Sequence, residues 1–108
     1  MRDVLFSLED AKAISKDQGY HFFTGSTMRW WKSRISEMCY STLNGKEMFF
    51  VTSERDNDRA RRYTVRMAKL DETGHFTVET VSGFQEYASR SGAHERAKRE
   101  RLAAILAD

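Results

Sequence analysis

Hydrophobic and polar positions along the chain change period twice, and each change marks an element. Ser7 is a good N-cap, and Glu9 and Asp10 follow it in a first turn where negative charge suits the helix dipole. Leu8, Ala11 and Ile14 fall on one helical face, which predicts a helix of about ten residues stopped at Gly19. Tyr20-His21-Phe22-Phe23 is a short aromatic run of strand character, broken by Thr24-Gly25. Met28, Trp31 and Ile35 stand at i, i+3 and i+7, so a second helix is expected over about 28–36, capped by Ser26 or Thr27. Trp30 and Arg34 lie at i and i+4 on another face of that helix, where they can stack.

The period then shortens to two. Met38 to Leu43 and Lys46 to Glu54 flank Asn44-Gly45, a strong hairpin signal because a type I′ turn needs positive φ at both central residues. Arg61 to Leu70 alternates Tyr63, Val65 and Met67 against Arg62, Thr64 and Arg66. Asp71-Glu72-Thr73-Gly74 reads as a turn with Gly74 left-handed, and His75 to Val81 alternates again. After Ser82-Gly83, Phe84 to Ala88 reads as a short helical or irregular packing segment. Ser91 to Ala107 is a helix with Ala93, Ala97, Leu102, Ile105 and Leu106 as apolar positions and His94-Glu95-Arg96 on its solvent face. The expected fold is α+β: a single domain over 1–108, with two N-terminal helices and a C-terminal helix packed on an antiparallel β-meander of three to four strands.

Composition narrows the classes. The 108 residues are 40% hydrophobic and 31% charged, as in a globular domain with a heavily charged surface. No apolar run approaches the roughly 20 residues that cross a membrane, and Glu9 and Asp10 interrupt any secretory leader pattern. Cys39 is the single cysteine, which suits a reducing compartment; the expected location is cytoplasmic, with no membrane partner. Net charge is +2, from 18 basic and 16 acidic side chains. This argues against an acidic mimic of DNA and against a histone-like cation.

Catalytic patterns are missing from the linear sequence. His21, His75 and His94 are dispersed, with no paired ligands at metal spacing. There is no glycine-rich phosphate loop and no Gly-x-Ser-x-Gly elbow. His21 reads as half-buried, His75 and His94 as exposed, Cys39 as a small core residue, and Glu54 and Asp17 as exposed element ends. The expectation is a non-enzymatic protein with no metal and no cofactor.

Two binding readings compete. Tyr20, Phe22, Phe23, Trp30 and Trp31 stand beside Arg29 and Arg34, and Trp, Tyr and Arg dominate protein interfaces. Trp31 shares the Met28 and Ile35 stripe and reads as core, which leaves Trp30 as the candidate anchor. The alternative is nucleic acid, tracked by arginines at 59, 61, 62 and 66, on the last helix, and at 29 and 34. Asp56, Asp58, Glu95 and Glu100 are interleaved with them and cancel much of that field. The binding set is therefore Arg29, Trp30, Arg34, Arg62 and Arg66, with a protein partner favoured over nucleic acid. Homodimerisation through a sheet edge or the C-terminal helix is a third arrangement.

Thr27-Met28-Arg29-Trp30-Trp31-Lys32-Ser33-Arg34, Phe50-Val51-Thr52-Ser53-Glu54, Arg62-Tyr63-Thr64-Val65-Arg66 and Phe84-Gln85-Glu86-Tyr87-Ala88, with Tyr20-His21-Phe22-Phe23, cover much of residues 20–98. In these pieces the chain resembles a family of small uncharacterised proteins encoded by bacteriophages, prophages and mobile elements. Phenylalanine more often stands at the tryptophan pair in that family. The resemblance implies a mobile-element context and an accessory role, such as inhibition of a host factor, and carries no catalytic residues.

Overall fold

The computed structural model of the protein describes residues 3–24, 28, 34–55 and 59–107. Helix α1, Leu8–Asp17, starts where the sequence places it: the Ser7 side chain accepts from the Asp10 N–H at 3.1 Å. It ends at Gln18, followed by Gly19 at φ 70°. Strands β1 (Arg34–Ser41), β2 (Glu47–Glu54), β3 (Arg62–Leu70) and β4 (Phe76–Thr80) form one antiparallel sheet in the order β1-β2-β3-β4. Helix α2, Arg90–Ala107, closes the chain, its first turn capped by Ser89 Oγ, which accepts from the Gly92 N–H at 3.1 Å.

The α+β meander of four strands is therefore present, with two helices among the described residues. The helix expected over 28–36 is corrected at its end: Arg34, Ile35 and Ser36 belong to β1, so Arg34 does not present a helical face. Apart from Met28, the rest of that segment, including Arg29, Trp30 and Trp31, lies outside the described residues. Tyr20 to Phe23 is not a strand but a connection in which the Tyr20, Phe22 and Phe23 rings pack under the sheet.

Alternation sends each strand's side chains to two layers. Met48, Phe50, Ala68, Leu70 and Phe76 pack against Leu5, Ala11 and Ile14 on the α1 side. Phe49, Val51, Val65 and Met67 pack against Ala93 and Ala97 on the α2 side. The sheet is thus covered on both faces, which is why seven of the eight residues of β2, from Met48 to Glu54, are buried. Small alanines on α2 let the helix approach the sheet, while Leu102 and Leu106, expected as packing positions, are 54% and 74% exposed.

The β1–β2 connection departs from the two-residue turn. Gly45 is at φ 71°, but Asn44 is not among the positive-φ residues. The Thr42 N–H donates to Glu47 O at 2.9 Å and the Gly45 N–H to Thr42 O at 3.2 Å, so the loop is longer than a type I′ hairpin. The β3–β4 turn follows expectation, with Gly74 at φ 84° and Asp71 Oδ1 accepting from the N–H groups of Thr73 and His75. Those hydrogen bonds, led by the Thr73 hydroxyl, lower the Asp71 pKa.

The two rims of the sheet differ. At β4, the Phe76 N–H donates to Gln18 Oε1 at 2.9 Å and the Val78 N–H to Tyr20 Oη at 3.1 Å. At β1 the register slips: between the pairs Ile35–Thr52 and Cys39–Phe50, residues 36–38 stand against Val51 alone. That is a β-bulge, and Ser36 within it meets His94 and Arg90 of α2.

Candidate functional site

The bulge, the end of β2, the start of β3 and the first turn of α2 enclose an open pocket of about 360 Å³. Arg34, Arg61 and Arg90 line it, with Ser36, Glu37 and Tyr63. These cations come from β1, the residue before β3 and the start of α2, so only the folded chain assembles them. Arg61 is anchored by two bonds from Nη1, to Ser53 O at 2.9 Å and Ser53 Oγ at 3.0 Å. Burial, then the charge of Arg34, lower the Arg61 pKa from its ordinary value, with Tyr63 and Glu54 pulling the other way. Arg34 and Arg61 are therefore close enough to repel each other, and the Glu37 carboxylate lines the same pocket.

Behind the pocket lies His94, corrected from its expected place on the solvent face: it is 8% exposed. Its Nε2 is 2.8 Å from Ser36 Oγ and its Nδ1 is 2.8 Å from Tyr40 Oη. Arg90 Nη2 donates to the same Ser36 hydroxyl at 3.1 Å. Burial, followed by the charges of Arg90 and Lys98, lowers the His94 pKa, which holds the ring neutral at physiological pH.

Of the expected site residues that are described, Arg34 is in this pocket and Arg62 and Arg66 are not. Arg62 is spent on structure: Nε donates to Gln85 O at 2.7 Å and Nη2 to Glu86 O at 2.8 Å, a fork that holds the chain after β4 against β3. Arg66 lies on the α1 side of the sheet, its guanidinium 5.7 Å from the ring centres of both Phe22 and Phe84. It bonds Glu54 Oε1 at 3.2 Å. Glu54, expected at an exposed strand end, is instead 2% exposed and also accepts from the hydroxyls of Thr52 at 2.7 Å and Thr64 at 3.0 Å. Arg29 and Trp30 lie outside the described residues.

The remaining sequence candidates scatter. Tyr20, Phe22 and Phe23 pack edge-on or tilted against Phe50 and Phe76. His21 is exposed rather than half-buried, and His75 is exposed as expected. Cys39 is partly buried against the α1-side core, and burial raises its pKa. Among the described residues no three His, Cys, Asp or Glu side chains could hold a metal ion. Nor is any described helix long and apolar enough to cross a membrane.

Sequence reasoning missed Ser36, Tyr40, Arg61, Arg90 and His94 as a group. One signal was available: His94 precedes Ala97 by three residues and follows Ala93, so it shares the buried stripe of α2.

Fold and pocket together define a small α+β protein with an arginine-lined cleft at one end of its sheet. The chain belongs to DUF7447, a family of unknown function, whose pattern matches residues 7–98. No curated protein and no solved structure matches it.

Proposed function

We propose that the protein is a binding module for nucleic acid, gripping backbone phosphate with Arg34, Arg61 and Arg90. The observation that carries this reading is their convergence on one pocket. Arginine presents a planar fork that matches phosphate oxygens. The competing protein-partner reading rested on clustered aromatics, and three of those, Tyr20, Phe22 and Phe23, are engaged with the core. An accessory nucleic-acid binder also suits the cytoplasmic location expected from the single cysteine and the mobile-element context that the resemblance implies.

Fluorescence anisotropy of labelled single-stranded DNA, RNA and duplex DNA tests the reading, at about 50 and 200 mM salt. Arg34→Ala and Arg90→Ala each remove an exposed guanidinium. Each is expected to weaken binding roughly tenfold and to flatten the log K against log salt slope by about one. Absence of binding at low salt, or variants that bind like the parent, overturns it in favour of a protein partner.

A further inference from the structure

A buried histidine needs only two hydrogen bonds to be satisfied, and any polar groups would serve. His94 takes one of them from a hydroxyl that lines the arginine pocket. Arg90 donates to one Ser36 Oγ lone pair, and Nε2 stands 2.8 Å from the same oxygen. In the tautomer protonated at Nδ1, the serine proton points at Nε2 and the Nδ1 hydrogen is donated to Tyr40 Oη at 2.8 Å. Hydroxyl, imidazole base and orienting group thus stand in line, with bonds of the length such an arrangement needs. Ser36 is held there by the β1 bulge, a device that re-aims side chains beside reaction centres.

Resting on the phosphate-binding reading, we propose that Ser36 and His94 form a nucleophile–base pair that cleaves a phosphodiester seated among Arg34, Arg61 and Arg90. Ser36 Oγ attacks phosphorus while His94 Nε2 takes its proton. The Oγ–P bond forms, the bond from phosphorus to the leaving oxygen breaks, and an alkoxide leaving group receives the proton from Nε2. Water reverses the step: Nε2 takes a proton from it, its oxygen bonds phosphorus, and Ser36 leaves with the proton returned by His94. No oxidant, reductant or metal enters the balance. The three guanidinium groups are placed to meet negative charge growing on the phosphoryl oxygens. A neutral His94 is the form required of a base, and the lowered pKa supplies it. Tyr40 is a positioning residue, acting through the ring.

The test uses the p-nitrophenyl ester of thymidine 5′-phosphate, whose leaving group departs as coloured p-nitrophenolate without needing a proton. The full chain is compared with Ser36→Ala and His94→Gln, with circular dichroism as the fold control. Expected are nitrophenolate release, an intact-mass increase of one thymidylyl group on the parent chain, and a loss of rate of about a hundredfold or more in Ser36→Ala. Ser36→Ala changes one half-buried hydroxyl and keeps the test decisive if His94→Gln fails to fold. Anisotropy with oligonucleotide runs alongside. Retained binding with no release, or release from Ser36→Ala at the parent rate, overturns the nucleophile assignment alone. Loss of oligonucleotide binding in the parent chain overturns the phosphate-binding reading and the assignment with it.

Discussion

Glu54 illustrates how much a single side chain can hide in a linear sequence. At the end of an apolar strand, beside a charged loop, it reads as a solvated terminus. In the fold it is buried beneath Thr52, Thr64 and Arg66, with its oxygens accepting at 2.7, 3.0 and 3.2 Å. A buried carboxylate of this kind is kept by its partners, and Arg66 in turn depends on it. Glu54→Ala would leave the Arg66 guanidinium, 14% exposed, without its carboxylate between two phenyl rings. The expected loss is about 3–5 kcal/mol, read as a drop in urea midpoint with an unchanged slope. Restoring an apolar pair through Glu54→Leu with Arg66→Met should recover much of it, which a loss through strand propensity alone would not allow. The burial of Glu54 was not legible beforehand, because Thr64 and Arg66 reach it from β3, ten and twelve residues away, and the helical stripe that buries His94 does not reveal its partners Ser36 and Tyr40 on β1.

At the scale of elements, the hairpins and end helices were legible where local chemistry is strong. Ser7 caps α1, Gly19 ends it, and Gly74 turns β3 into β4, as their conformational preferences dictate. The start of β1 was not legible, because Met28, Trp31 and Ile35 satisfy a helical spacing that the pairing of Ile35 with Thr52 overrides. Gly45 was recognised for the wrong turn, and its role is sharper than a φ preference. A Cβ there would lie 2.9 Å from Val4 Cβ and 3.0 Å from the Phe6 ring, since the N-terminal segment crosses the loop and Leu5 N–H donates to Gly45 O at 2.7 Å. Gly74, at a similar φ, has open space around it. Gly45→Ala should therefore cost more than Gly74→Ala. About 1–2 kcal/mol is expected for the left-handed backbone alone, and a further 1–3 kcal/mol for the collision at Gly45. Thermal unfolding of the two variants side by side checks the difference, and equal losses would refute the crossing contact.

The molecule as a whole is three layers, with α1 and its connection on one face of the sheet and α2 on the other. Strand alternation announced a meander, yet it could not say that both faces are covered: Arg62, Thr64 and Arg66 look like a solvent face until Phe22, Phe84 and Glu54 are brought against it. The pocket was illegible for a similar reason, since Arg34, Arg61 and Arg90 are brought together only by sheet pairing and by α2 folding back. Burial centred on β2 and β3 predicts where the fold is hardest to open. Native-state hydrogen exchange should find the slowest amides in β2 and β3, near the global unfolding free energy, with the last two turns of α2, where Leu102 and Leu106 are exposed, opening much more readily. Uniform protection along α2 would contradict this layering.

The asymmetry of the sheet's two rims bears on how the protein behaves in a crowded solution. An open strand rim invites another chain to add itself, the first step toward aggregates. Gln18 and Tyr20 already occupy the amides of Phe76 and Val78 on one side. On the other, the slipped register at residues 36–38, between Arg34 and Cys39, breaks the regular row of donors and acceptors that an incoming strand would need to match. The irregularity that aims Ser36 at the arginine pocket thus also blunts the strand that carries it as a template for polymerisation.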